Sequence, residues 1–83
     1  SLMRIPIDVY YDDDLRQIEI YGEEDMDVQI YLRDENGNTI TYSSTINTIL
    51  DVPDGYSGLL SIWIESENWI FTGKLLFDIS QTN

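Results

Sequence analysis

Apolar and polar residues alternate through most of this chain with the period of a strand. Between Asp27 and Arg33, Val28, Ile30 and Leu32 alternate with Gln29, Tyr31 and Arg33, so one face is apolar and the other polar. Asn36-Gly37 follows, a dipeptide that readily takes positive φ at both centres of a two-residue turn, and Ile40 and Tyr42 resume the alternation on the return. The stretch 27–42 therefore predicts a β-hairpin, strands three and four of the chain.

The same period recurs on either side. In 5–11, Ile5, Ile7 and Val9 share a parity, and Pro6, which cannot donate to a ladder, suits the start of an edge strand. Asp12-Asp13-Asp14 breaks that strand, and Leu15 to Tyr21 predicts a second with Ile18 and Ile20 inward. Gly22 to Met26 is another carboxylate-rich connection. Beyond the hairpin, Ile46 to Val52 predicts a fifth strand with Ile46, Thr48, Leu50 and Val52 on one side. Pro53 to Gly58 is a turn by composition. Leu59 to Glu65, apolar at nearly every position, predicts a central strand covered on both faces. Trp69 to Ile79 predicts the seventh, with Trp69, Phe71, Leu75, Phe77 and Ile79 inward and a bulge or a close neighbour at Gly73.

Seven short strands spaced by roughly ten residues, with turn signals between them and no helical period, predict an all-β fold, a seven-stranded antiparallel immunoglobulin-like β-sandwich. The 83 residues allow one domain, read as 5–80, with 1–4 and 81–83 as tails. Ser1 and Leu2 stand before Met3 and read as additions to the natural start, with any export leader already removed.

Charge narrows the partners. Sixteen acidic against four basic residues leave a net charge of −12, which repels a phosphate backbone and argues against nucleic acid. No apolar run approaches the roughly 20 residues of a membrane helix, so no membrane insertion is expected. The chain has no cysteine and no histidine, which removes disulfides, thiol chemistry and the commonest general base and zinc ligand. Carboxylate pairs among Asp12, Asp13, Asp14, Glu23, Glu24 and Asp25 are the residue types that serve as acid and base in a glycosidase, but that chemistry needs a desolvated carboxyl in a cleft, and runs of acids in short loops are wet. The expectation is no enzyme and no cofactor. Calcium is the alternative use of these acids. Asp34-Glu35-Asn36-Gly37-Asn38 imitates part of a calcium loop but lacks the closing glutamate, so solvated loops and no metal site are expected.

Three patterns carry a resemblance. D-E-N-G-N-T-I at 34–40 resembles a hairpin written D-x-x-G-N-x-[VI]; V-P-D-G-Y-S-G at 52–58 resembles an L-P-x-G-x-Y turn, with Tyr56 one place early; and W-I-F-T-G-K-L-L-F-D-I at 69–79 is similar to a closing strand with a glycine before alternating apolar residues. Together they resemble a domain-of-unknown-function family of small secreted immunoglobulin-like β-sandwich proteins from gut bacteria, over about two thirds of the chain. The turn and hairpin are also similar to C-terminal sorting domains of secreted surface proteins, whose closing basic segment is missing here. The family resemblance implies a sandwich that is secreted, periplasmic or displayed at the cell surface. It transfers no catalytic residues.

One surface stands out. Tyr31 lies on the polar parity of strand three and Trp63 opposite Leu60, Ile62 and Ile64 on strand six; in an immunoglobulin-like sandwich those strands are neighbours, which places both rings on one outer face near Arg33, Lys74, Ile70 and Leu76. The alternative is a flipped strand six with Trp63 inward, the commoner place for a large aromatic in a sandwich. An outer face built of Tyr31, Arg33, Trp63 and Lys74 would serve a non-catalytic binding or assembly module whose partner is a protein, a glycan or a second copy in a weak homodimer. The alternative function is a carbohydrate-binding module of a polysaccharide-handling system.

Overall fold

The computed structural model describes residues 4–78. It holds seven strands: β1 (Asp8–Asp12), β2 (Gln17–Tyr21), β3 (Gln29–Arg33), β4 (Thr39–Ser43), β5 (Thr48–Asp51), β6 (Gly58–Glu65) and β7 (Ile70–Phe77), with no helix among the described residues. They form two antiparallel sheets, one ordered β1-β2-β5 and the other β4-β3-β6-β7. The expected position of Ile79 in strand seven, and of the domain's end at residue 80, lies outside the described residues.

The core lies between the sheets and is wholly apolar. Ile18 and Ile20 of β2, Ile30 and Leu32 of β3, and Leu60 and Ile64 of β6 are fully buried, joined by Val28, Ile46, Leu50, Val52, Ile62 and Phe77. Alternation produces this directly, because every second side chain of a strand faces the same way. Each fully buried Ile or Leu contributes about 1.5–3 kcal/mol relative to exposure.

Several boundaries differ from the reading of the pattern. The first strand begins at Asp8, after Pro6, and runs through Asp12; its inward residues Val9 and Tyr11 pack on the core together with Ile7. The second begins at Gln17, because Leu15 and Arg16 belong to the turn: the Leu15 N–H bonds to Asp12 Oδ1 at 3.0 Å and Arg16 takes φ 53°. Strands three and five are also shorter than expected, and Val28, Ile46 and Val52 fill the core from just outside them.

The β3–β4 connection is a three-residue loop, Glu35-Asn36-Gly37, in place of the two-residue turn. Gly37 N–H bonds to the Asp34 carbonyl at 3.0 Å, Asp34 N–H bonds to the Asn38 carbonyl at 2.9 Å, and only Gly37 of the loop has positive φ, at 85°. This is the hairpin in which a glycine in the left-handed region follows a tight turn. Asp34 selects it, since its Oδ1 accepts the N–H groups of Asn36 at 2.9 Å and Asn38 at 3.0 Å. Those bonds hold the carboxyl below its ordinary pKa, with Asn38 the largest contributor.

A register shift between Leu32 and Arg33 against β4 adds a second correction. Ile40 packs on the core while Tyr42 points outward, so the two do not share a face as simple alternation required. A bulge inserts one residue and switches the parity. Gly73 carries no bulge: β6 and β7 pair in unbroken register, and the Phe71 ring lies where a Gly73 side chain would begin, 3.3 Å from an added Cβ. The glycine is thus the close-neighbour case of the two expected.

Strand six is central, between β3 and β7, but it is covered on one face only. Leu60, Ile62 and Ile64 are buried, and Ser61, Trp63 and Glu65 are half-buried on the other side. Its outward residues read as buried in the pattern because Leu59 and Trp63 are apolar; neighbouring side chains, not a second layer, cover them.

Candidate binding face

The register of the four-stranded sheet lines up its outward residues in rows. Tyr42, Tyr31, Trp63 and Thr72 form one row across β4, β3, β6 and β7; Thr39, Arg33, Ser61 and Lys74 form the next. Tyr31 and Trp63 are therefore direct cross-strand partners, and Trp63 is outward, not inward. Gln29, Glu65 and Ile70 make a third row, and Leu59 faces Leu76.

Arg33 organises this face. Its guanidinium carbon lies 4.6 Å from the centroid of the Tyr31 ring and 5.7 Å from that of Trp63, a cation over two π-faces. Tyr31 and Tyr42 meet at 5.2 Å between centroids with planes inclined by 50°. Trp63 Nε1–H donates to Glu65 Oε2 at 2.8 Å, and the Tyr42 hydroxyl donates to Gln29 Oε1. These polar tips are satisfied along the sheet surface, so the rings are held in place without being buried. Tyr42 is 52% exposed, Ile70 52% and Leu76 74%.

Of the residues expected on this face, Tyr31, Arg33 and Trp63 come together, while Lys74 lies in the Arg33 row two strands away, exposed. Tyr42 was missed. Its signal is the alternation from Tyr42 back to Thr39, which a bulge interrupts, so parity counted from Ile40 put the ring on the wrong side.

The two outer faces differ in charge. The strands of the three-stranded sheet carry Asp8, Asp12, Glu19 and Asp51 on their outward positions and no cation; those of the four-stranded sheet carry Glu65 with Arg33 and Lys74. In a chain of net charge −12 this second face is where two of the four cations are gathered.

A shallow depression of about 200 Å³ lies at one end of the face, lined by Asp27, Gln29, Glu65, Ser66, Glu67 and Ile70. Among the described residues no group of three or more Asp or Glu is placed to hold a metal ion. The loop that imitates a calcium site uses its oxygens internally: Asp34 Oδ1 accepts two backbone N–H groups, and Glu35 Oε1 accepts the Leu59 N–H at 3.2 Å. Asp13, Asp14, Glu23, Glu24 and Asp25 are exposed on connections.

Arg16, one of two cations the pattern did not mark, is structural. Its Nη2 donates to the Tyr56 carbonyl at 3.2 Å, its carbonyl accepts the Val52 N–H at 3.0 Å, and its guanidinium lies 4.9 Å from the Phe77 ring centroid. Tyr56 meets Phe77 edge-on at 5.9 Å, so its ring packs in the corner between β5 and β6 although it follows Gly55 one place early.

No family model, no curated protein and no solved structure matches this chain.

Proposed function

We propose that this chain is a non-catalytic binding or assembly module that engages a protein partner through the outer face of β4, β3, β6 and β7. The observation that carries this is Arg33 stacked over Tyr31 and Trp63, on four strands whose outward positions hold one carboxylate, Glu65. Trp, Tyr and Arg are the residue types that dominate interface energetics, and here they already contact one another in the single chain, an arrangement that reduces the entropy lost on binding. The partner's surface would bring apolar side chains to Tyr42, Ile70 and Leu76 and carboxylates to Arg33 and Lys74.

A glycan platform needs free ring faces lying close to one plane. The guanidinium occupies faces of Tyr31 and Trp63, and Tyr42 is tilted from Tyr31 by 50°, which favours a protein over a sugar.

The architecture we read is the immunoglobulin-like one with its fourth strand on the sheet of strands three, six and seven. Supporting it is the strand order; the tyrosine at the corner before β6 differs from the corner tyrosine of such sandwiches, which bonds to backbone upstream of itself. Tyr56 donates to the Leu59 carbonyl at 2.7 Å, an acceptor three residues downstream. Export to the periplasm or cell surface rests on the resemblance of the hairpin, turn and closing strand to secreted sandwich proteins.

The test uses Trp63 as its own reporter. In a Trp69→Phe background Trp63 is the only tryptophan. Peptides selected from a displayed random library should shift its emission saturably, and Arg33→Ala or Tyr42→Ala should abolish the shift. A saturable response to soluble oligosaccharides with none to any selected peptide would replace this reading with the carbohydrate-binding one.

A further inference from the structure

A sheet edge exposes unpaired N–H and C=O groups, and soluble proteins blunt such edges with short strands, charges, prolines or bulges. Three of the four edges here are blunted. Strand β1 follows Pro6 and carries Asp8 and Asp12 at its two ends; β5 has four residues and ends in Asp51; β4 is irregular against its neighbour. Strand β7 is different. It has eight residues in unbroken register with β6, no proline and no carboxylate, and its single charge is Lys74. Among the described residues its far side has no partner strand.

We propose that the free edge of β7 pairs antiparallel with β7 of a second copy about a twofold axis through Gly73, joining two four-stranded sheets into one of eight. The pairing uses the strand's backbone edge and borrows Ile70 and Leu76 from the outer face, but it does not need Arg33, Tyr31, Trp63 or Tyr42 to bind a partner. Directly opposed residues in an antiparallel pair lie on the same face, so a twofold axis can pass only through one residue and its equivalent. Centred on Lys74, the pairing sets two ammonium groups against each other and Ile70 against Asp78. Centred on Thr72, it sets Ile70 against Lys74 and Phe71 against Gly73. Centred on Gly73, it pairs Ile70 with Leu76, Phe71 with Leu75 and Thr72 with Lys74, apolar with apolar on both faces.

Net charge opposes any pairing of two copies, each at −12, and β7, an edge strand without a carboxylate, is where that opposition is least. Ile70 and Leu76, exposed in the single chain, are set side by side across the pair in this register, each covering a flank of the other. A mostly apolar groove of about 180 Å³, lined by Val9, Tyr11, Ile62, Phe71 and Leu75 with Lys74 at it, runs beside this edge.

Sedimentation of the 83-residue chain over micromolar concentrations should show a monomer–dimer equilibrium that strengthens with added salt. Ile70→Glu with Leu76→Glu should weaken it by about tenfold or more while leaving the circular dichroism of the monomer unchanged, since both side chains are outward. The register is read by cysteines in a chain that has none: Thr72→Cys mixed with Lys74→Cys should cross-link, and neither should cross-link with itself. A chain monomeric up to about millimolar concentration, beyond the range of weak specific pairs, overturns the proposal. So does a dimer that survives the double glutamate variant, or one that Tyr42→Glu abolishes instead.

Discussion

Trp63 stands directly opposite Tyr31 across β6 and β3, and the guanidinium of Arg33 lies over both rings. The contact ties a cation of scarce kind to two aromatic side chains that would otherwise present bare apolar faces to water. It also means that Trp63 contributes to the surface more than to the core, although neighbours cover part of it.

Trp63→Ala is accordingly expected to cost about 1–2 kcal/mol, the loss of a cation–π contact and partial burial. Chemical denaturation measures it. A loss of about 3–5 kcal/mol, typical of a deleted core aromatic, would show that the ring belongs to the interior and remove the proposed face.

Gly37 is the hairpin residue whose conformation depends on having no Cβ. At φ 85° nothing lies within 4 Å of an added Cβ, so substitution there tests backbone strain alone. Gly37→Val should destabilise by about 1–3 kcal/mol and Gly37→Asn by clearly less, because asparagine tolerates the left-handed region. Equal melting temperatures for the two variants would contradict this account of the loop.

Tyr11 gives the opposite expectation. Its ring meets Phe77 edge-on at 5.4 Å, while its buried hydroxyl finds no hydrogen-bond partner among the described residues. Removing an unsatisfied buried group while keeping the ring should be neutral or stabilising. Tyr11→Phe should therefore melt at or above the parent temperature; a drop of several degrees would mean that the hydroxyl is bonded.

The pH dependence has two ends. The Asp34 carboxyl is held below its ordinary 3.8 by the backbone bonds from Asn38 and Asn36, so its contribution is fully present above that value and is lost as pH falls through the lower folded one. The parent should exceed Asp34→Asn in melting temperature near neutrality, and the gap should close by about pH 2. At the alkaline end Tyr56 is raised above 10.0, chiefly by burial and then by Asp34 and Glu35. Stability linked to its phenol is present below that value and lost as pH climbs through the raised one, so Tyr56→Phe should flatten the alkaline decline. A decline of unchanged steepness would exclude the link.

The number of strands and the facing of most of them were legible because alternation is a local property: Ile18, Ile30, Leu50 and Ile64 are each inward by the parity of their own segment. The same parity put Tyr31, Arg33 and Trp63 outward, and neighbouring strands in a sandwich then brought them together. Local pattern failed where a side-chain hydrogen bond or a bulge altered the count. Asp34 converts the expected turn into a longer loop, and one inserted residue turns Tyr42 to the other face.

The sequence by itself determined an all-β chain, its apolar core and its excess of carboxylates, since these follow from residue type and period two. The assumed topology already set strands three, six and seven in one sheet; only the tertiary structure decided that β4 joins them, that Arg33 caps two rings while Arg16 anchors to Phe77, and that β7 is an unblunted edge. The reason is physical: period sets which way a side chain faces, whereas its neighbours across the sheet are set by pairings between residues far apart in the chain, which the local pattern does not encode.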